Sequence, residues 1–288
     1  MTNERGLARI VPVAVVLAAL LIVWYAAALP MNSGLPSFPA GGTLTERFVA
    51  AWALDRPVLP APHQVVAALW AATVETPVSS PRSLVFHGAI TLSSALLGFA
   101  FGAVLGMALA VDIVHVRTLE KSLLPWLIAS QTIPILAIAP IVVVALGAAG
   151  ITGLVPKALI SMYLSFFPVA IGMVKGLTSP EPMLLDLIRT YSAGRAQTLL
   201  RLRLPAAVPY LFASLKVAVA ISLVGAIVGE LPTGGTFGLG ARLLSGSYYG
   251  QTIQIWAALF AAAILAACLV QMVALAERLT AKAMGARP

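Results

Sequence analysis

Six stretches of the chain, residues 9–29, 88–111, 122–148, 154–176, 207–230 and 253–276, are long, apolar and poor in charge. About 20 such residues are what a helix needs to cross roughly 30 Å of hydrocarbon. Lipid offers no partner for a bare N–H or C=O, so each crossing segment closes its own hydrogen bonds as a helix. The polar/apolar alternation of a β-barrel is missing. The expected fold is therefore all-α: a polytopic membrane protein with about six transmembrane helices. Composition agrees, since 60% of the 288 residues are hydrophobic and 10% charged, against about 25% charged in an ordinary soluble domain.

The net charge of +8 does not mark a nucleic-acid binder, because the basic residues form no patch interleaved with aromatics. They sort by side instead. Arg5, Arg9, Arg117, Lys121, Lys175, Arg189, Arg195, Arg201, Arg203, Arg278, Lys282 and Arg287 would share the side of the N-terminus, with Arg47, Arg56, Arg82 and Arg242 opposite. This asymmetry predicts a multi-pass protein of the bacterial plasma (inner) membrane with both termini cytoplasmic. Arg5 and Arg9 ahead of an apolar run resemble a signal sequence, but a signal's apolar region is only about 7–15 residues. The first helix is read as retained, with Ala26-Ala27-Ala28 keeping cleavage as the alternative. The chain then divides into a first helix (1–30), an extracytoplasmic loop with a short surface helix near Val65–Ala72 (31–87), a five-helix core (88–276) and a cytoplasmic tail (277–288).

No catalytic or metal constellation is found: there is no His-Glu-x-x-His, no Gly-x-Ser-x-Gly and no Cys/His set at metal spacing. His63, His87 and His115 read as loop or span-end residues, and Cys268 as a small hydrophobe. There is no Gly-x-x-x-x-Gly-Lys-Ser/Thr, so ATP and magnesium are not expected on this chain. The glycine-rich segment 229–250 reads as a tight turn. Polar residues within spans are costly unless they face protein or water. Ser130, Gln131, Thr132, Ser161, Ser165 and Ser222, with Pro134 as a kink, are candidates for a solute pathway, interhelical hydrogen bonding being the other reading. Lys175, Lys216 and Glu230 near span ends read as snorkelling side chains, or for Glu230 as a latch on an extracytoplasmic gate.

The cytoplasmic loop 179–205 carries the most information. Ser179 and Pro180 suit a helix start, and Leu184, Leu187, Ile188 and Tyr191 recur at helical spacing on one face. Asp186 and Arg189 lie on the other. Gly194 is the expected break before a short helix over 195–203, after which Pro205 and Pro209 reset the chain. So short an amphipathic pair is marginal alone; it rests on the membrane surface or serves as a docking element for a cytoplasmic partner.

This loop resembles the "EAA" loop of binding-protein-dependent permeases. Aligned from Leu204-Pro205, Asp186-Leu187-Ile188 stands for Glu-Ala-Ala and Ser192 for the family's glycine, with Gly194 two residues on. Leu59-Pro60-Ala61-Pro62, Thr91-Leu92-Ser93, Gln131-Thr132-Ile133-Pro134, Gly229-Glu230 and Gly238-Leu239-Gly240 are similar to the nitrate/sulfonate/taurine type. Tyr191-Ser192-Ala193 resembles the thiamine-precursor pyrimidine or riboflavin branch. The resemblance implies the permease subunit of an ATP-binding-cassette importer, with Leu184, Asp186, Leu187, Ile188, Arg189, Tyr191, Ser192, Gly194, Leu204 and Pro205 coupling it to an ATPase dimer. It further implies an extracytoplasmic solute-binding protein, a second permease copy (identical or paralogous) and a small organic anion as solute, or alternatively a thiamine-precursor pyrimidine or riboflavin. An ATP-independent channel or secondary transporter is the rival class, and expects mid-membrane ionisable groups.

Overall fold

The computed structural model describes residues 2–39, 41–232 and 237–285, with side chains from Val11 onward. Among these residues the regular structure is entirely helical. In chain order the helices are α1 (Thr2–Asn32), α2 (Leu44–Trp52), α3 (Pro62–Trp70), α4 (Leu84–His115), α5 (Arg117–Ser130) and α6 (Ile135–Ala148). They continue as α7 (Leu154–Leu177), α8 (Pro182–Thr190), α9 (Arg195–Thr198), α10 (Leu204–Glu230), α11 (Leu239–Tyr248) and α12 (Thr252–Ala283).

Five runs are long and apolar enough to cross a membrane: Val11–Asn32, Leu84–His115, Leu154–Leu177, Arg195–Glu230 and Thr252–Ala283. The expected span over 122–148 is not one helix. α5 and α6 meet at a bend of 94°. Pro134 disfavours helical backbone at the residue before it, and the chain turns there, the Gln131 and Thr132 N–H groups bonding back to the Ile128 and Ala129 carbonyls. At about 1.5 Å per residue each 14-residue half is about 21 Å long, short of the hydrocarbon thickness.

The expected span over 207–230 starts earlier, at Arg195. Between α9 and α10 lies one wide π-helical turn, Leu199–Arg203, in which the Leu204 N–H reaches the Leu199 carbonyl. Pro205 therefore does not reset the chain: its ring and missing N–H fall where the α ladder is already loosened. The glycine-rich 229–250 segment is not merely a turn, since α11 fills its second half; residues 233–236 lie outside the described ones. In the long loop the surface helix begins at Pro62, and α2 is an addition, opened by Thr43 and Glu46 exchanging hydrogen bonds with each other's backbone N–H.

The chain forms two compact units. In the first, residues 1–86 and 242–261, Asn32 is fully buried; its Oδ1 accepts from the Val58 and Leu59 N–H groups, and its Nδ2 donates to the Ala51 and Leu59 carbonyls. Trp24 packs on Trp256 and Phe260, with ring centroids 4.9 and 6.0 Å away. Arg242 is half-buried, and desolvation, with nearby Arg82, lowers the pKa of its guanidinium.

The second unit, residues 87–241 and 262–288, is built on close backbone contact. Gly98, Gly102 and Gly106 make a stripe at every fourth position of α4, the small-residue pattern that lets membrane helices approach. A Cβ at Gly102 would lie 2.1 Å from Ser165 Oγ, and one at Gly98 2.2 Å from Ser161 Cβ, both on α7. From the other side a Cβ at Gly225 of α10 would lie 2.7 Å from Ser161 Cα. Toward the α8 end, Val169, Met173, Leu177, Ala207 and Ala218 complete the core.

Candidate functional site

The amphipathic elbow begins two residues later than the sequence suggests. Ser179 donates its hydroxyl to the Gly176 carbonyl, and Pro182 takes the first helical position behind an extended Glu181. Met183, Leu184, Leu187 and Tyr191 of the elbow are 77%, 43%, 52% and 78% exposed, an apolar face turned away from the chain's own core. Ile188 shares the expected stripe but turns the other way, and with Leu185 and Arg189 it lines a recess of about 360 Å³. Asp186 and Arg189 pair at 2.9 Å on the surface, a contact worth only tenths of a kcal/mol up to about 1 kcal/mol.

The break falls at Ser192, whose φ is 52°, and not at Gly194, which is extended (φ −69°, ψ 169°) and heads α9. The residue that stands for the family's glycine is thus the one in the left-handed conformation that glycine tolerates best. Leu204 packs against the core, while Pro205 is exposed. Arg203 donates to the Leu177 carbonyl and ties the start of α10 to the end of α7.

Ser130, Gln131, Thr132 and Pro134 all lie at the α5/α6 bend. No side chain caps α6, so its first N–H groups and their partial positive charge face the bend. Tyr163 of α7 donates to the Ser130 carbonyl. Ser161, Ser165 and Ser222 are elsewhere. Each is fully buried, donating to the Ser222, Gly98 and Val219 carbonyls respectively. The Ser161 and Ser165 bonds join α7 to α10 and α4, whereas the Ser222 hydroxyl bonds within α10 and its carbonyl receives Ser161.

Glu230 sits at the far end of α10 from the elbow, fully buried. It does not snorkel. Its Oε2 accepts from the Gly240 N–H at 2.7 Å and its Oε1 from the Thr91 hydroxyl at 2.8 Å. Thr91 Oγ1 accepts from the Leu239 N–H, and His87 Nδ1 from the Gly238 N–H. Three side chains from α4 and α10 thus hold three consecutive N–H groups at the start of α11, donors a helix cannot satisfy itself. His87 is 1% exposed and so belongs to this cap, not to a surface. Gly238 has φ +123°, and a Cβ there would lie 2.2 Å from Glu230 Cδ. Sequence reasoning missed His87 and Thr91 as partners; their four-residue spacing on one helix face was the available signal. It also missed that Lys216 pairs with Glu277 of α12.

A family model described as the inner membrane component of binding-protein-dependent transport systems matches residues 102–285. The chain is 33% identical to the riboflavin transport system permease protein of Chloroflexus aurantiacus, over 77% of this chain and 79% of that one. It is 33% identical to the formylaminopyrimidine transport permease protein of Halalkalibacterium halodurans, over 60% and 65%. It is 27% identical to a putative aliphatic sulfonates transport permease protein of Bacillus subtilis, over 67% and 68%.

Proposed function

Because this chain belongs to the family of binding-protein-dependent transport system inner membrane components, we propose that α8 is the handle by which a separate ATPase works it. The chain is a permease subunit of an ATP-binding-cassette importer, a multi-pass inner-membrane protein and a transport component rather than an enzyme. Its family depends on an ATPase and a solute-binding protein. The observation that carries the proposal is the outward apolar face of Met183, Leu184, Leu187 and Tyr191. Among the described residues it is left exposed, on the loop that resembles the family's coupling loop.

The ATPase subunits, which bind ATP and magnesium, grip this face in the cytoplasm, where both termini also lie. Beyond the elbow one unbroken helix of 36 residues, Arg195–Glu230, runs for about 54 Å and ends in the carboxyl group that caps α11. Displacing the elbow therefore displaces the cap at the opposite end. The α5/α6 bend, with backbone groups turned toward the break, contributes Ser130, Gln131, Thr132 and Pro134 to the solute path, as interrupted helices do in transporters. A second permease copy completes that path, and a solute-binding protein delivers to the opposite face. The names of the more similar relatives favour an aromatic heterocycle such as riboflavin or a pyrimidine over nitrate or a sulfonate.

Asp186→Lys and Ser192→Ile test the handle. The first reverses a charge on α8, and the second puts a β-branched side chain at positive φ, a genuine outlier. Each is expected to leave the protein in the membrane while ATP-driven uptake into proteoliposomes falls at least tenfold. Normal coupled uptake by both variants would refute the proposal.

A further inference from the structure

The recess behind α8 does not belong to the outward face of the elbow. It is enclosed by the end of α4 (Val114, His115), the inner side of α8 (Leu185, Ile188, Arg189) and the segment carrying Ala193, Arg195, Thr198 and Arg203. Three arginines and one histidine therefore line about 360 Å³, and among the described residues no Asp or Glu does. That volume falls in the range of small-molecule sites. Asp186 neutralises part of Arg189 from outside the lining. Arg203 spends one Nη on the Leu177 carbonyl. The Arg195 guanidinium makes no hydrogen bond or ion pair among the described residues, and the His115 ring commits only Nδ1, to the Val111 carbonyl. Val114, Leu185, Ile188 and Ala193 supply apolar walls, which strengthen any charge pairing made against them.

We propose that this recess binds a phosphate group, carried by an anionic phospholipid headgroup or by a soluble organic phosphate. Planar guanidinium forks match phosphate oxygens two at a time, and the volume suits a phosphate ester better than a bare ion. The location fits as well. The recess lies where two membrane-crossing runs, Leu84–His115 and Arg195–Glu230, have their ends, and basic pockets between helices on the cytoplasmic side take anionic headgroups. A bound phosphate would bridge α4, α8 and the start of the long helix, and so stiffen the base of the elbow. The ATPase keeps the other face.

The test uses the purified transporter with its ATPase subunits in detergent, titrated with short-chain phosphatidylglycerol or with glycerol 3-phosphate, and followed by thermal unfolding. Phosphatidylglycerol is expected to stabilise the wild type. Arg195→Gln, which removes no side-chain hydrogen bond or ion pair among the described residues, should weaken that binding about fivefold, Arg195→Lys should restore most of it, and Arg278→Gln, outside the recess, should leave it unchanged. Equal protection by glycerol 3-phosphate would assign the site to a soluble ester, and protection by the lipid alone to a headgroup. Unaltered phosphate binding by Arg195→Gln and Arg203→Gln would overturn the proposal. So would loss of the ATPase subunits from Arg195→Gln without added phosphate, which would hand the recess to a protein partner.

Discussion

Ser192 and Gly238 each occupy backbone that favours glycine, and they answer it differently. Ser192 accepts left-handed φ with a side chain attached, at a cost of about 1 kcal/mol. Ser192→Gly should therefore raise the melting temperature slightly and keep uptake coupled, whereas Ser192→Ile fails in coupling. At Gly238 no side chain fits, because the space a Cβ would need is filled by the Glu230 carboxyl group. Gly238→Ala should cost about 2–3 kcal/mol by breaking the α11 cap, seen as a drop of several degrees in the thermal unfolding of the detergent-solubilised protein. A melting curve unchanged from wild type would show that the cap contributes nothing to stability.

Among the elements, the crossing helices were legible in the sequence because apolar length is a local property. Five of the six predicted segments lie within helices of spanning length, extended at one or both ends. The sixth is divided at Pro134, where a kink and a right-angle break share the same local sequence. The proline at 205 misled in the opposite sense: the π turn that absorbs it leaves no mark in the residues. The site was legible in the same uneven way. The outward stripe of α8 follows from helical spacing, but the α11 cap joins residues about 140–150 positions apart, and no local pattern announces such a pairing. Lys216 and Glu277 are the same kind of case. Their side chains are about a third exposed, and breaking one partner alone leaves a charge stranded among apolar helices. Lys216→Met should lower stability by about 1–3 kcal/mol, and adding Glu277→Gln should recover part of that loss in a double-mutant cycle. Strict additivity would mean the pair does not hold α10 to α12.

For the whole molecule, the buried serines bear on selectivity. Ser161 and Ser165 bond across to neighbouring helices, Ser222 bonds within its own, and Glu230 is held in the α11 cap, which leaves the short α5/α6 bend among the candidate pathway groups to meet a solute. On the proposed function, so few groups discriminate poorly between small molecules, and we expect selection to fall to the solute-binding protein. ATP hydrolysis by the reconstituted complex should then be unmoved by free solute and rise only when the loaded binding protein is added. Stimulation by solute alone would place a recognition site in the membrane.

The glycine seam joining α4, α7 and α10 has a kinematic corollary. Where backbone meets backbone through Gly98, Gly102 and Gly225 there is no layer of pliable side chains to absorb shear. One helix cannot slip along another by part of a turn without driving a serine into a main chain. Any stroke delivered at one surface must therefore tilt the three together, like a single plank, with travel at the far surface fixed by where the plank is pivoted.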